Sequence, residues 1–351
     1  YERIKAGEFD NSSAEQEGKA EGLPPHNLPL QLTPFVGRED ELAQLQALLA
    51  QPDVHLITIL GAGGMGKTRL ALALAERMWS RQVGHETHPY QHGVYFASLA
   101  RLATADSLLT AIAEAVHFGF RDDQDQREQL LRYLTSKSML LVLDNFEHLS
   151  AGTALVDEIL QRAPQIKIVI TSRARVNRRS EQLFPITGMS YPSWRVVAAR
   201  DDQLDLNQYS ALQLFEQCAR RVQPDFALTA DNEGDVLQIC QLLQGMPLGI
   251  VLAASWLHAL SPKAISRNMQ QDMDFLATDM EDVPRRQRSL RAAFNHSWRL
   301  LSQREQEIFS QMSIFRGGFS RAAAQTITGA TLRDLQALVS KSLLTLSPDR
   351  R

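Results

Sequence analysis

The sequence predicts an α/β fold in which a parallel sheet carries helices on both faces, followed by two helical units. Short apolar segments alternate with amphipathic ones between residues 31 and 185, and this alternation is typical of parallel sheets. Segments such as MLLVLD are apolar almost throughout, which indicates strands buried on both faces. After Pro185 the strand pattern fades, and apolar residues recur at helical spacing.

The elements of the predicted sheet domain follow one another in a regular order. REDELAQLQALLA has leucines at helical spacing and predicts the first helix, after which VHLITIL predicts a strand, GAGGMGKT a glycine-rich turn and RLALALAERMW a helix. Further strands are predicted for GVYFASLA, MLLVLD and KIVITSR. Helices are predicted for SLLTAIAEAV, REQLLRYL and ALVDEILQRA.

The rest of the chain is predicted to be helical, in two units. QYSALQLFEQCARRV, DVLQICQLLQG and PLGIVLAASWLHAL form the first, where Gly245 suits the end of one helix and Pro247 the first turn of the next. From about Pro284, three or four further helices are predicted, the last running into a strand, which suits a winged-helix domain that is cut short. The expected divisions are a tail and linker at 1–30, the α/β domain at 31–185, a linker at 186–205, the helical domain at 206–283 and the incomplete winged helix at 284–351.

Composition and charge exclude several classes of protein. The chain has 351 residues, 44% of them hydrophobic, and a formal charge of −3, so it can bury large cores and is not basic enough for the whole chain to coat nucleic acid. Cys218 and Cys240 have neither metal-ligand nor disulfide spacing, which favours a reducing, cytoplasmic compartment. The uncharged stretch LLQGMPLGIVLAASWLHAL, which ends at Leu260, is broken by Gly245 and Pro247, so we expect a buried helix and no membrane partner.

The glycine cluster is the most specific motif in the chain. Residues 61–68, GAGGMGKT, fit the pattern G-x-x-x-x-G-K-[ST] between a predicted strand and a predicted helix. In this pattern backbone N–H groups cradle phosphates, Lys67 reaches the β- and γ-phosphates, and Thr68 ligates Mg²⁺. The glycines also satisfy the weaker dinucleotide pattern G-x-G-x-x-G, but Lys67, Thr68 and a separate strand that ends in Asp144 favour a P-loop. The predicted phosphate-binding residues are Gly61, Gly63, Gly64, Met65, Gly66, Lys67, Thr68 and Arg69.

Residues that follow the strand MLLVLD are the candidate metal and catalytic groups. Asp144 ends the strand, where P-loop proteins place an acid that holds Mg²⁺ together with the Thr68 hydroxyl. Asn145 follows, at the position where a second acid would help to activate water. Glu147 is the candidate for orienting that water; alternatively, it caps the following segment or is simply exposed.

Basic residues follow the strand that ends in VITSR. Arg173 lies at a strand end beside the P-loop and is predicted to touch a γ-phosphate, which would let the protein distinguish ATP from ADP. A solvated arginine at a strand end is the alternative. Arg175, Arg178 and Arg179 are predicted to be solvated. The candidate catalytic residues are Lys67, Asp144, Glu147 and Arg173.

Five motifs occur in a distinctive order: FVGRE at 35–39, GAGGMGKT, LLVLDNFEHL, VITSR and GMPL at 245–248. In this order they resemble the STAND class of signal-transduction NTPases, and in particular AfsR-like bacterial regulators, which are related to plant and animal NB-ARC proteins. The resemblance spans roughly residues 31–345. It implies an α/β P-loop NTPase domain, a helical domain and a winged helix that close over ADP, and that open and often oligomerise when ATP replaces it.

The resemblance also implies contacts with the base. Phe35, Val36 and Arg38 would lie along the adenine and ribose, although the same segment would also suit a hydrophobic staple for the first helix. Pro247 and Leu248 would close the adenine pocket, although GMPL also suits a plain helix break. The choice of adenine over guanine rests on the resemblance and on the lack of an evident NKxD motif.

Two features depart from the family pattern. The family's winged helix usually supplies a histidine near its end that contacts the β-phosphate of ADP, and we expect this chain to stop before it. Asn145 is the second departure, though LDN is usual among AfsR-like members. YERIKAGEFD resembles the last helix of a bacterial transcriptional-activation domain, with a frayed helix as the alternative. We therefore expect a fragment of a longer protein, with a DNA-binding module before Tyr1 and helical sensor repeats after Arg351.

Three functions are compatible with these motifs. The leading hypothesis is an ATP/ADP switch that hydrolyses ATP slowly, self-associates in its ATP state and controls a transcription effector, because one Mg²⁺-binding acid without a second acid favours slow hydrolysis. The second is a working ATPase of the AAA+ type, which would need an arginine finger from a neighbour. The third is DNA binding by the winged helix through Arg285, Arg286, Arg288 and Arg291, against the simpler interpretation of a solvated helix start.

Overall fold

The structure is a computed structural model that describes residues 23–346 except 82–87, 103, 122–124, 150–151, 193–207, 279–283, 285–286 and 316. A five-stranded sheet lies at its centre in the order β2–β3–β4–β1–β5, and every paired strand is parallel to its neighbour. The strands are β1 (Leu56–Leu60), β2 (Val94–Ser98), β3 (Met139–Asp144), β4 (Ile166–Ser172) and β5 (Glu181–Pro185). The motif YERIKAGEFD lies outside the described residues.

The sheet is covered by helices on both faces, as predicted. The helices of this domain are α1 (Glu39–Ala50), α2 (Lys67–Trp79), α3 (Ala105–Ala115), α4 (Gln126–Thr135) and α5 (Thr153–Arg162). All six residues of β3 are buried, and alternate side chains enter different cores. Leu141 and Leu143 pack with residues of α3, α4 and α5, whereas Leu140 and Val142 pack with residues of α1 and α2. The predicted α/β fold is therefore confirmed.

The edge strand β5 is not among the predicted strands. It pairs with β1, and Phe184 is the one buried residue of its five. An edge strand with a single buried side chain lacks the apolar composition that marks the central strands. Its last residue, Pro185, suits the edge of a sheet because proline cannot donate a ladder hydrogen bond.

The helical unit between residues 208 and 278 has its own hydrophobic core. Its helices are α6 (Ser210–Val222), α7 (Glu233–Leu242), α8 (Pro247–Ser255) and α9 (Pro262–Gln271). The first three coincide with predicted helices, but α8 ends in a short 3-10 turn at Trp256 instead of continuing to Leu260. Sequence analysis missed α9, whose start is capped by Ser261, since that hydroxyl accepts the Ala264 N–H.

The C-terminal unit contains α10 (Leu290–Trp298), α11 (Gln303–Gln311), α12 (Arg321–Thr328) and α13 (Leu332–Ser340). Residues of all these helices or their connections enclose a small core. The strand predicted after the last helix is wrong for the described residues 341–346. Ser342 turns the chain with a φ of 56°, and the N–H groups of Leu343 and Leu344 return to the Leu338 carbonyl. Those N–H groups are therefore not available to a sheet, and the winged helix stays a prediction.

The uncharged stretch that ends at Leu260 contains the core helix α8 and its continuation. α8 has nine residues, five of which are buried, and four of these five belong to the core of the helical unit. Within the part of the chain that the structure describes, no helix is long and apolar enough to cross a membrane.

Candidate nucleotide-binding site

The loop between β1 and α2, residues 61–66, has the geometry of a phosphate cradle. Gly64 and Gly66 adopt left-handed backbone angles, with φ of 82° and 84°, which glycine tolerates best. Lys67 Nζ donates to the Gly61 carbonyl at 2.7 Å, so the ammonium group is held over the loop. The first N–H groups of an α-helix lack an intrahelical partner and favour an anion, which is what a bound phosphate supplies.

Asp144, at the end of β3, lies against the helix that follows the P-loop. The Thr68 hydroxyl donates to Asp144 Oδ1 at 2.7 Å, and the Thr171 hydroxyl donates to the same oxygen at 2.6 Å. A hydroxyl and a carboxylate fit the Mg²⁺ of P-loop proteins, whose other ligands are phosphate oxygens and water. In the described ranges, no cluster of three or more His, Cys, Asp or Glu side chains could hold a metal ion by itself.

Asn145, the residue after Asp144, lines a cavity next to the P-loop, which we call the phosphate cavity. Its φ of 64° lies in the left-handed region, where asparagine is more common than most residues. Its N–H donates to the Thr171 hydroxyl at 3.0 Å, and its side-chain amide donates to Asp144. The cavity has a volume of about 320 Å³, and its walls also include Lys67 and Thr68. The Asn145 side-chain amide therefore occupies the position from which a second acid would contact bound phosphates.

Glu147 does not line this cavity. Its side chain is 1% exposed, and it borders a separate cavity of about 100 Å³. The predicted alternative of an exposed residue is therefore wrong. Burial raises the pKa of Glu147, but His296, Lys67 and Arg173 outweigh this effect and lower the pKa to about 2. The Glu147 carboxylate is therefore ionised at neutral pH.

Arg173 connects the P-loop domain to the C-terminal unit. Its Nε lies 3.2 Å from Glu147 Oε1. Its Nη1 donates to the Ala293 carbonyl at 2.9 Å and to Ser297 Oγ at 2.5 Å, both on α10. A Cβ added to Gly63 would lie 2.7 Å from Arg173 Nη1, so the guanidinium also packs on the P-loop. The alternative of a solvated arginine is wrong for Arg173, which is 6% exposed.

His296, which is also on α10, lies close to the ion pair of Arg173 and Glu147. Its Nε2 lies 3.7 Å from Glu147 Oε1, within ion-pair distance but beyond a hydrogen bond. Sequence analysis missed both His296 and Ser297. Ser297 is separated from Arg173 by 124 positions, and nothing in the sequence around α10 marks it as part of a nucleotide site.

The other arginines that follow β4 differ in how exposed their side chains are. Arg175 and Arg179 are exposed, as predicted. Arg178 is half-buried, its Nε lies 3.2 Å from Asp157 Oδ2, and it also donates to the Thr153 hydroxyl. The prediction that Arg178 is solvated is therefore wrong, because it ties the segment before β5 to α5.

A second cavity, of about 390 Å³, adjoins the phosphate cavity. The residues common to both walls are Gly66, Arg69, Pro247, Leu248, Val251 and Gln287. Phe35 and Val36 add apolar surface from the N-terminal segment. At the junction of the two cavities, Arg69 donates to the Gln31 side chain and to the Thr33 carbonyl. A largely apolar cavity beside a phosphate cradle suits a nucleotide base, so these walls are a candidate base site.

One face of α6 forms a wall of the base cavity that sequence analysis missed. Leu214, Gln217, Cys218 and Arg221 line the cavity, and they follow the i, i+3, i+4, i+7 spacing of one helical face. The same spacing is typical of any helix that faces a core, so the sequence does not distinguish a cavity wall from ordinary packing. Burial raises the pKa of the Cys218 thiol, which keeps it protonated at neutral pH.

Arg38 braces the P-loop as well as lining the base cavity. Its Nη2 donates to the Met65 carbonyl at 3.1 Å and to the Thr187 carbonyl at 2.5 Å. Its Nη1 lies 3.0 Å from Glu41 Oε1. Burial lowers the pKa of Arg38, and Glu41 partly offsets this effect. Because the Arg38 guanidinium already donates to two main-chain carbonyls, its geometry favours a role in positioning the P-loop, in addition to the predicted contact with the ribose.

Main-chain contacts join the helical unit to the P-loop. The Leu248 N–H donates to the Gly64 carbonyl at 3.1 Å, and the Met189 N–H donates to the Gly245 carbonyl at 2.7 Å. A Cβ on Gly188 would lie 1.9 Å from the carbonyl oxygen that precedes Gly245. The main chain at Gly188, after β5, therefore packs against the main chain at Gln244 as closely as glycine allows. Because Leu248 is hydrogen-bonded to Gly64, a movement of the helical unit would act directly on the phosphate-binding loop.

The fold and the site define a P-loop nucleotide-binding protein, with a phosphate cradle after β1 and a buried acid at the end of β3. Residues 34–306 match the family of the AAA ATPase domain. The chain belongs to this family, in which nucleotide binding, typically with Mg²⁺, is the shared property.

Known proteins of similar sequence include two from Mycobacterium tuberculosis. One carries the provisional name of HTH-type transcriptional regulator and is 32% identical over 308 residues, which are 86% of this chain and 32% of that protein, so the chain spans about a third of its length. An uncharacterized protein is 32% identical over 312 residues, 89% of this chain and 72% of its own length. Among solved structures, a STAND protein with a tetratricopeptide repeat sensor from Pyrococcus horikoshii has a TM-score of 0.38 at 15% identity, over 90% of this chain and 40% of that one.

Proposed function

We propose that this chain is a signal-regulated ATP/ADP switch of the AfsR-like, NB-ARC-related branch of the STAND class, with slow hydrolysis. The observation that carries the proposal is the position of Arg173. It lines the phosphate cavity, yet its guanidinium donates to the Ala293 carbonyl and to Ser297 Oγ of the C-terminal unit. A switch needs two states whose contacts differ. Arg173 could donate hydrogen bonds to either of two sets of acceptors, the Ala293 and Ser297 oxygens of α10 or the phosphate oxygens of a bound nucleotide.

The γ-phosphate is the group that would change these contacts. With ADP, we expect Arg173 to keep its hydrogen bonds to α10, so that the C-terminal unit stays closed over the phosphate cavity. The γ-phosphate of ATP offers charged oxygens, which accept hydrogen bonds from arginine more strongly than a carbonyl or a hydroxyl does. It would therefore draw Arg173 away from Ala293 and Ser297 and release α10.

Slow hydrolysis follows from the positions of Asn145 and Glu147, which come after Asp144 in the sequence. Asn145 lines the phosphate cavity, but an amide cannot serve as a general base at neutral pH. Glu147 borders a different cavity and is paired with Arg173. Neither side chain is arranged to activate water, so we expect ATP to be held for a long time and its hydrolysis to reset the switch.

The remaining site residues would hold the nucleotide. A bound Mg²⁺ supplies charge neutralisation for phosphoryl transfer. Thr68 and Asp144 would hold this ion, and Lys67 would meet the β- and γ-phosphates. The main chain of the loop would cradle the phosphates through Gly61, Gly63, Gly64, Met65 and Gly66, with Arg69 at the junction. The residues that would enclose adenine and ribose are Phe35, Val36, Arg38, Pro247 and Leu248.

Nucleotide exchange tests the proposal. Ser297→Ala removes one acceptor of Arg173 without adding bulk, so we expect faster release of a fluorescent ADP analogue and a larger share of ATP in the nucleotide that co-purifies. Ser310→Ala, at an exposed position on α11, is the matched control. Equal rates of ADP release from the wild type and Ser297→Ala would overturn the switch contact. Turnover per molecule that rises with protein concentration would instead favour a working ATPase of the AAA+ type.

The effector is proposed from the mycobacterial relative that is named as a transcriptional regulator. Because this chain spans only part of that relative, we propose that the whole protein binds DNA through a module outside this chain, and that it self-associates in its ATP state. Size-exclusion chromatography with a non-hydrolysable ATP analogue should give a larger species than the same experiment with ADP. Identical elution in both nucleotides would contradict self-association.

A further inference from the structure

The C-terminal unit carries a charge opposite to that of the rest of the chain. Residues 284–351 contain twelve Arg and Lys but only four Asp and Glu, a formal charge of +8. The whole chain carries −3, which leaves −11 for residues 1–283. The net charge hides this asymmetry, and a basic segment of this kind is typical of a surface that meets a polyanion.

Helices α12 and α13 are connected as the two helices of a helix-turn-helix are, by a turn of three residues. α12 ends at Thr328, and Gly329, Ala330 and Thr331 separate it from α13. Gly329 has a φ of 64°, the left-handed conformation that commonly ends helices. Thr331 and Asp334 form a capping box that starts α13. A short turn that contains glycine, placed between two such helices, is the pattern of helix-turn-helix DNA-binding units.

Packing leaves one face of α13 uncovered at its N-terminal half. Ala330 and Leu338 lie in the core of the C-terminal unit and fix the inner face of the pair. Leu332, Arg333 and Gln336 are exposed, and Leu332 is 56% exposed despite its apolar side chain. In a helix-turn-helix, residues near the N-terminus of the second helix contact the edges of bases. The exposed residues therefore lie at the positions that a recognition helix uses.

The other end of α13 is held by the P-loop domain. The Ser340 carbonyl accepts the Arg175 N–H at 3.3 Å, and the Ser342 hydroxyl donates to the Arg173 carbonyl at 3.0 Å. These contacts leave the N-terminal half of α13 accessible, because they involve only the C-terminal end of the helix and the turn that follows it.

We propose that α13 binds the major groove of duplex DNA. Arg333 suits a bidentate contact with guanine, Gln336 a bidentate contact with adenine, and Leu332 an apolar contact with the thymine methyl group. The major groove of B-DNA admits an α-helix, whereas that of A-form RNA is too narrow. Arg299 and Arg321, which are exposed, suit the phosphates that position such a helix.

The arginine cluster that the sequence predicted as a DNA contact is not part of the proposed surface. Arg291 is ion-paired with Asp274 of the preceding unit, so its charge is already compensated. Arg285 and Arg286 lie outside the described residues. The proposed DNA-binding surface is the exposed face of α13, formed by residues that the structure describes.

Binding of a random-sequence duplex of about 30 base pairs to the 351-residue chain tests the proposal, with fluorescence anisotropy as the readout. We expect an affinity that falls steeply between about 50 and 200 mM salt, and a preferred sequence after rounds of enrichment. Arg333→Ala and Gln336→Ala should each reduce the preference for that sequence over a scrambled duplex by about 5- to 100-fold. Arg321→Ala should weaken binding of both duplexes alike.

Arg267→Ala, at an exposed position on α9, is the matched control and should bind DNA as the wild type does. Thermal melting would check that each variant is folded. Three results would overturn the proposal: no duplex binding at about 50 mM salt, an unchanged sequence preference in both Arg333→Ala and Gln336→Ala, or tighter binding of an RNA hairpin than of the duplex.

Discussion

Arg173 and Glu147 form an ion pair that is almost wholly shielded from water: Arg173 Nε lies 3.2 Å from Glu147 Oε1, and the two side chains are 7% and 1% exposed. They follow β4 and β3, which are neighbours in the sheet. The pair joins Arg173, the side chain proposed to detect a phosphate, to Glu147, the carboxylate predicted from the sequence to orient water, and it holds Glu147 away from the phosphate cavity. Removing one charge would leave the other buried, which costs stability.

Lys67→Ala should abolish stabilisation by ADP. The ammonium group is held over the P-loop, and its loss removes the charge expected to meet the phosphates. A ligand at 100 times its Kd stabilises the folded state by about 2.7 kcal/mol, so the wild type should melt several degrees higher with ADP and the variant should not. Lys263→Ala, at an exposed position on α9, is the control. An unchanged ADP-induced shift in Lys67→Ala would rule out the P-loop assignment.

Asn145→Asp should accelerate ATP hydrolysis, by about tenfold or more, since a positioned general base typically contributes 10²–10⁴-fold. The substitution places a carboxylate on the wall of the phosphate cavity, and aspartate tolerates the left-handed backbone at this position. Single-turnover hydrolysis separates this effect from nucleotide exchange. A rate equal to that of the wild type, at equal ATP affinity, would mean that residue 145 does not meet the attacking water.

Gly188→Ala should destabilise the protein by about 2–4 kcal/mol. The added Cβ would lie 1.9 Å from the Gln244 carbonyl oxygen, and a main-chain atom cannot move aside as a flexible side chain can. Gly234→Ala is the matched control, because nothing lies within 4 Å of its added Cβ; on α7 it should be neutral or stabilising by up to about 1 kcal/mol. Urea unfolding measures both variants, and equal stability of the two would contradict the close approach at Gly188.

The buried charge of Glu147 should be visible in the pH dependence of stability. Its pKa is lowered from 4.5 to about 2 in the folded protein. A carboxylate of this kind contributes stability that is complete above the unfolded pKa, near 4.5, and is lost as the pH falls towards 2. The difference in free energy of unfolding between the wild type and Glu147→Gln should therefore change by on the order of 3 kcal/mol as Glu147 is protonated, between about pH 5 and pH 2.

Urea unfolding in pH steps would measure this difference. We expect the advantage of the wild type over Glu147→Gln to shrink on acidification, and an advantage that grows instead would contradict the ionised, paired state of Glu147. Glu158→Gln provides a control, because Glu158 pairs with Arg127 at 2.7 Å but is 39% exposed, and exposed pairs contribute little to stability.

Local patterns predicted the parts of the molecule that depend on neighbours in the sequence. The P-loop and the strand that ends in Asp144 each lie within ten residues, so composition and spacing are sufficient to predict them. β5 escaped prediction because an edge strand needs only one buried residue, Phe184. The apolar residues Leu343 and Leu344 resembled a strand, but their N–H groups return to α13 and their side chains pack against the small core.

Contacts between units could not be predicted in the same way. Arg173 was a candidate from its place after β4, but its acceptors on α10 are ordinary residues of a distant helix. Ser297 has no feature that marks it before the chain is folded, and the same is true of the α6 residues that line the base cavity. Arg173 therefore emerged from the sequence as a phosphate contact, whereas its link to the C-terminal unit is a property of tertiary structure.

The hydrogen bond from Leu248 to Gly64 makes a single amide proton a reporter of opening. Leu248 is the second residue of α8, and the first N–H groups of a helix have no partner within it. Protection of this proton from hydrogen exchange must therefore come from the P-loop carbonyl, which belongs to the other domain. Its exchange rate would measure how often the helical unit separates from the P-loop while both remain folded.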